Sequence, residues 1–124
     1  MTTAIKTRTT QEVAERLLNL CKQGQFEQAQ EELFSEEVIS TEPPYSPLKS
    51  AKGTKAVIEK GKNFAQAIET VHGSSFSEPV VGGRYFSFAM SLDASFKGQG
   101  RMQLEEICLF EVKEGKVVAE QFFF

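Results

Sequence analysis

Glu42, Lys60, His72 and Glu106 are the side chains of this sequence whose types and positions could move a proton. Carboxylates and an imidazole serve as general acids and bases, and an ammonium beside them can hold the negative charge that develops on a carbonyl oxygen. His72 is the sole histidine, so it is the only side chain whose ordinary titration lies near neutrality. Its place before Gly73 also fits a cation at the end of a helix. Glu106 sits in the run RMQLEEICLFEVK, where strand alternation puts Met102, Leu104, Glu106, Cys108, Phe110 and Val112 on one face. An ionised carboxylate in so apolar a layer costs several kcal/mol unless paired, so Glu106 is expected to be protonated or matched by Lys60 or His72. Such a pair serves chemistry or simply the core. Tyr45 and Tyr85 are further hydroxyl donors.

The elements that must position these residues follow from periodicity and turn signals. Residues 101 to 124 read as two strands joined at Glu114-Gly115, an acidic residue and a glycine between apolar runs. With a two-residue loop, Val117, Ala119, Gln121 and Phe123 share the face of Glu106. One bulged residue would bring Val118, Glu120 and Phe122 there instead. Thr9-x-x-Glu12 is a capping box that opens a first helix, with Val13, Leu17, Leu20 and Cys21 on its apolar stripe and Gly24 as a left-handed stop. A short second helix carries Phe26, Ala29, Leu33 and Phe34. A strand from Val38 to Glu42 precedes a loop from Pro43 to Lys52, read as a flap. A third helix runs from Thr54, its apolar positions Val57, Gly61, Phe64, Ile68 and Val71 spaced by four, three, four and three. Lys60 lies at the edge of that stripe, able to snorkel to solvent or reach a cavity. From Ser74 the chain is all β: Ser74 to Val81, a turn at Gly82-Gly83, Tyr85 to Phe96, a KGQG turn, then the hairpin. Phe86, Phe88, Met90, Leu92, Ala94 and Phe96 alternate with Ser87, Ala89, Ser91, Asp93 and Ser95. Asp93 is thereby expected on a solvent-facing or interfacial side.

Helices first and antiparallel strands after them give an α+β domain with the helices on one face of the sheet. At 124 residues the chain fits a single domain, residues 1–124, with 1–8 expected to be flexible. Fourteen basic residues against 17 acidic, a net charge of −3, do not favour nucleic acid, which needs clustered cations. No segment approaches the roughly 20 apolar residues of a membrane span, and MTTAIKTRTT lacks the apolar run of a signal sequence, so a cytoplasmic protein is expected. Cys21 and Cys108 have no metal-ligand or redox spacing and are expected as buried free thiols; neither metal nor cofactor is called for. Eleven phenylalanines and no tryptophan predict a core of aromatic packing.

The element order, with QFEQAQEELFSEEVIS, KGTKAVIEKGKNF and FEVKEGKVVAEQFFF, resembles the SnoaL-like branch of the nuclear transport factor 2-like superfamily over nearly the whole chain. The resemblance implies a cystatin-like cone, a strongly curved antiparallel sheet wrapped on three helices, with a pocket at its open end. It implies polyketide cyclase, isomerase, dehydratase or hydrolase activity, or a non-catalytic binding or assembly module. It also implies sheet-to-sheet dimers. The aspartate that cyclases of this branch carry near their last strand has no counterpart in GKVVAEQFFF, and the aspartate pair of ketosteroid isomerases is missing, so those roles are not carried over. The catalytic candidates therefore stay His72, Glu106, Glu42 and Lys60. Tyr45, Phe64, Phe88, Met90, Met102, Cys108, Phe110, Gln121 and Phe123 are expected to line the pocket for a small apolar, carbonyl-type molecule. The opposite sheet face, with Ile107, Leu109, Val118, Phe122, Ser87, Ala89 and Ser91, is apolar enough to expect a homodimer.

Overall fold

In the computed structural model, which describes residues 7–124, the first helix, α1, spans Thr10–Lys22. It is set by its cap: the Thr9 hydroxyl accepts from the Glu12 amide at 3.1 Å, and the Glu12 carboxylate accepts from the Thr9 amide at 2.9 Å. Gly24, at φ +75°, supplies the left-handed turn that lets the chain reverse into α2, Phe26–Leu33. The buried stripe of α1, Val13, Ala14, Leu17, Leu18, Leu20 and Cys21, packs over β3 to β5. Each large aliphatic side chain buried in this way contributes roughly 1.5–3 kcal/mol.

The strands are β1 Phe34–Thr41, β2 Ala51–Lys52, β3 Ile68–Phe76, β4 Val80–Gly82, β5 Tyr85–Phe96, β6 Gly100–Lys113 and β7 Lys116–Phe123, with α3, Thr54–Ala67, between β2 and β3. Their order in one sheet is β2-β1-β7-β6-β5-β3, with β4 also beside β5. Pairing is antiparallel except between β1 and β7, which run parallel, so the sheet is mixed. The three helices cover its inner face, giving the α+β architecture expected of the sequence. The inner face is closed at its base by phenylalanine. Phe86 stacks on Phe110 at 4.7 Å, and Phe88 lies 5.3 Å from Phe110 and 6.0 Å from Phe76.

Several boundaries differ from the sequence reading. The third helix stops at Ala67, not near Val71, because Ile68 to Phe76 pair with β5, with register shifts at Glu69 and His72. Ile68 and Val71 suit a helical stripe and a strand equally, and tertiary pairing decides. Pro79, without an amide hydrogen, separates β3 from β4 where one strand was expected. β1 begins at Phe34, ahead of Val38, and Ala51-Lys52, at the end of the expected loop, pair with Ser40 and Ile39. Of the segment 1–8 expected to be flexible, residues 1–6 lie outside the described residues. Arg8 is tied down, donating to Glu32 at 3.0 Å.

The hairpin turn is the two-residue loop, with Glu114 at φ 51° and Gly115 at φ 75°. The register then shifts: Val112 pairs with Val117, but Glu111 pairs with Ala119. Val118 is the extra residue of a β-bulge. Every later side chain of β7 changes face as a result.

Candidate functional site

Ser40 and Glu120 are neighbours across the parallel β1–β7 pair, and both point inward. Glu42, just beyond β1, shares the face of Val38 and Ser40 by alternation. From the facing wall, α3 sends Lys60 into this group. Its Nζ lies 2.6 Å from the Ser40 Oγ and 2.8 Å from a Glu42 carboxylate oxygen. The Lys60 and Glu42 side chains are 13% and 5% exposed, so the ion pair is largely withdrawn from water. Ser40 in turn donates to Glu120 Oε1 at 3.3 Å, and the ring of Phe122 lies 5.4 Å from the Lys60 ammonium. On β6, Glu106 is half-buried and accepts a long contact, 3.7 Å, from the Cys108 thiol.

These neighbours set the titration of the group. Burial, reinforced by the nearby Glu42 charge, pushes Glu106 up to about 6, while Cys108 and Lys60 pull it down. Burial pushes Glu120 up to about 7, against the opposing pull of Lys60 and the Ser40 hydrogen bond. Cys108, sunk in the core beside Glu106 and Glu120, is held strongly in its thiol form. Cys21, also buried, is pushed up to about 12. Both cysteines are free thiols. The arrangement is one cation among three carboxylic groups, two of which hold a proton well above the ordinary carboxylate range.

The sequence candidates divide. Glu42, Lys60 and Glu106 come together, and Met90 and Met102 lie half-buried on the same inner face, with Phe64 on α3. Leu92 and Leu104 belong to that lining too. His72 does not join them: it lies within β3, not at a helix end, and its ring is 2.7 Å from Ser95 Oγ on the outer face, near Asp93. Gln121 and Phe123 also face outward, turned away by the bulge at Val118, and they pair with Leu109 and Ile107. Phe88, Phe110 and Cys108 are buried beneath the site as core, not as accessible lining. Tyr45 sits on the loop after β1, where its hydroxyl donates to the Phe124 carbonyl and its ring meets the Phe124 ring edge-on at 5.8 Å. Tyr85 bridges Arg84 and Glu111 on the outer side. Missed by the sequence reading of the site were Ser40, Glu120 and Phe122. Ser40 had a signal in the parity of Val38, Ser40 and Glu42, whereas Glu120 and Phe122 stood only in the bulged alternative for the last strand.

A model of the SnoaL-like domain matches residues 8–124. The chain belongs to the SnoaL-like family. Among solved structures, a proposed SnoaL-like polyketide cyclase from Mesorhizobium loti is 30% identical, with a TM-score of 0.88 over 94% of this chain and 100% of that one. A second such protein, from Jannaschia sp. CCS1, superposes with a TM-score of 0.73 at 14% identity, covering 96% of this chain and 90% of the other. A Xanthomonas campestris protein of cystatin-like fold reaches 0.79 at 15% identity, over 94% and 90% of the two chains. Those two show the fold alone. No curated protein matches the sequence. No helix among the described residues of this SnoaL-like chain is long and apolar enough to cross a membrane.

Proposed function

We propose that this SnoaL-like protein binds a small apolar compound bearing a carbonyl and moves a proton next to that carbonyl, without a cofactor, as an isomerase, cyclase or dehydratase would. The observation that carries the reading is the Lys60 ammonium, 2.8 Å from Glu42 and near enough to the raised carboxyl of Glu106 for its charge to act on it. At neutral pH a group titrating near 6 is mostly ionised, so it accepts a proton readily and, once protonated, returns it readily. Glu106 is the base in this scheme. Lys60 has three N–H donors, two of them engaged by Ser40 and Glu42, and the third is free to steady an enolate-like oxygen. Met90, Leu92, Met102 and Leu104 supply the apolar wall.

A second reading is a non-catalytic binding or assembly module, favoured by the stacked Phe86, Phe88 and Phe110 that fill the base of the cone. One substitution separates the two. Glu106→Gln is expected to weaken binding of carbonyl ligands, found by a thermal-shift screen, or to abolish their turnover, with a melting temperature at neutral pH that is kept or raised. A large loss of stability with unchanged ligand affinity would make Glu106 a structural member of the core and sink the proposal.

A further inference from the structure

Glu120 is 5% exposed and Ser40 is fully buried, yet both are linked to the one cation of the site. We propose that Glu120 is the proton reserve of Lys60, a positioning residue whose proton reaches the ligand space only through the Ser40 hydroxyl. The Ser40 Oγ stands between Lys60 Nζ at 2.6 Å and Glu120 Oε1 at 3.3 Å. A hydroxyl has one donor and two acceptor positions, so it can accept from the ammonium while donating to the carboxylate, and it can run the same line in reverse. This inference rests on the reading of Lys60 as the group that faces the ligand.

The transfer balances. When Lys60 gives a proton to a ligand oxygen, its N–H bond breaks and the nitrogen lone pair takes the hydrogen of Ser40 Oγ. Ser40 then takes the hydrogen of the Glu120 carboxyl. The ammonium and the hydroxyl are restored, and Glu120 is left as a carboxylate whose charge offsets the proton delivered. An amine is a far stronger base than a carboxylate, so refilling runs downhill. The titration of Glu120 near 7 means that a proton is present to be given in neutral solution. The charged and titratable groups around Glu120 are Lys60 from α3, Glu42 beyond β1, Glu106 and Cys108 from β6, and Cys21 from α1. The two thiols hold their protons throughout this range, and Glu42 and Glu106 reach Glu120 only by their charge, so Ser40 is the bonded route out.

The test needs no substrate. With the δ-carbon of glutamate labelled, NMR line shapes at the midpoint of the Glu120 titration give the rate at which its carboxyl gains and loses a proton. Ser40→Ala is expected to slow that rate by an order of magnitude or more, and Ser40→Thr, which keeps the hydroxyl, to restore it. Lys60→Met slows it as Ser40→Ala does. An unchanged rate in folded Ser40→Ala would show that Glu120 reaches water by another path and would overturn the relay, whatever Glu106→Gln does to ligand binding. If Ser40→Ala does not fold, the Lys60→Met rate decides alone, and an unchanged value there overturns it equally.

Discussion

A buried carboxylic acid makes stability depend on pH in a direction opposite to that of a salt-bridged one. Glu120 holds its proton up to about 7 against an ordinary 4.5. Below the lower value the folded and unfolded chains are both protonated at this position. Between the two values the unfolded chain ionises while the folded chain keeps its proton, so stability falls as pH rises, by about 3 kcal/mol at most over the interval. Glu106 adds the same sign over a narrower range, ending near 6. Glu32 and Asp93 act oppositely: hydrogen bonds from Arg16 and Arg101 hold them below the ordinary range, and their contribution is lost as pH falls. The separable prediction concerns Glu120→Gln, whose amide can still accept from Ser40. The variant should gain on the wild type steadily from about pH 4.5 to 7 in urea titrations and hold its advantage above that. A difference that does not change with pH would mean that Glu120 is ionised throughout in the folded protein. Single residues were partly legible in advance. The intruding Glu106 and the edge-of-stripe Lys60 stand out from periodicity alone. His72 misleads because a residue before glycine at the end of a helical pattern looks the same whether the helix continues to it or gives way to a strand.

At the scale of elements, local chemistry was legible and cross-strand choices were not. The capping box, Gly24, the Glu114-Gly115 turn and the long alternating strand from Tyr85 to Phe96 each carry their own signal, and each is present in the structure. The bulge at Val118 carries none. Its apolar neighbours Val117 and Ala119 fit either parity, and the choice is made by which of Glu120 and Gln121 can be satisfied inside, where Ser40 and Lys60 wait for a carboxyl. The parallel pairing of β1 with β7 is equally silent in sequence, since it joins residues some eighty positions apart. The turn offers a test of how tightly the hairpin is bound to the rest. A Cβ on Gly115 would stand 2.7 Å from Thr7 Cγ2 and 3.0 Å from the Arg8 amide nitrogen, at a φ that L-residues disfavour. Gly98 has a similar φ, +76°, with open space around it. Gly98→Ala should therefore cost only the left-handed strain, about 1 kcal/mol. Gly115→Ala should cost clearly more, because the backbone at Arg8, held through Glu32, must also move. Equal losses in urea unfolding would show that the Thr7-Arg8 segment yields freely.

For the molecule as a whole, the outer face of the sheet exposes large apolar side chains, and its composition is not quite the one that strict alternation gives. Phe122 and Glu120 have turned inward, and Val118 is consumed by the bulge. In exchange Phe123 joins Ile107, the two paired side by side and 46% and 47% exposed, with Ile39 beyond them at 49%. Ile107 and Phe123 form one wall of a hollow of about 490 Å3 whose lining also includes the small residues Ser75, Ser77, Ala89 and Ser91. A ridge of large apolar side chains next to a trough of small ones is self-complementary under a two-fold axis, each copy placing its Ile107 and Phe123 in the trough of the other. Charged pairs ring the patch, Arg101 with Asp93 on one side and Arg84 with Glu111 on the other, and these would stay wet at the rim. A homodimer is the expected state at micromolar concentration. Leu109 lies half-buried on this face, between Ser87 on β5 and Gln121 on β7, so Leu109→Glu places a charge in the centre of the contact without touching Lys60, Glu106 or Glu120 on the inner side. Sedimentation should find the wild type as a dimer and Leu109→Glu as a folded monomer. A wild-type monomer, or a dimer that Leu109→Glu leaves intact, would show that this face is not where two copies meet.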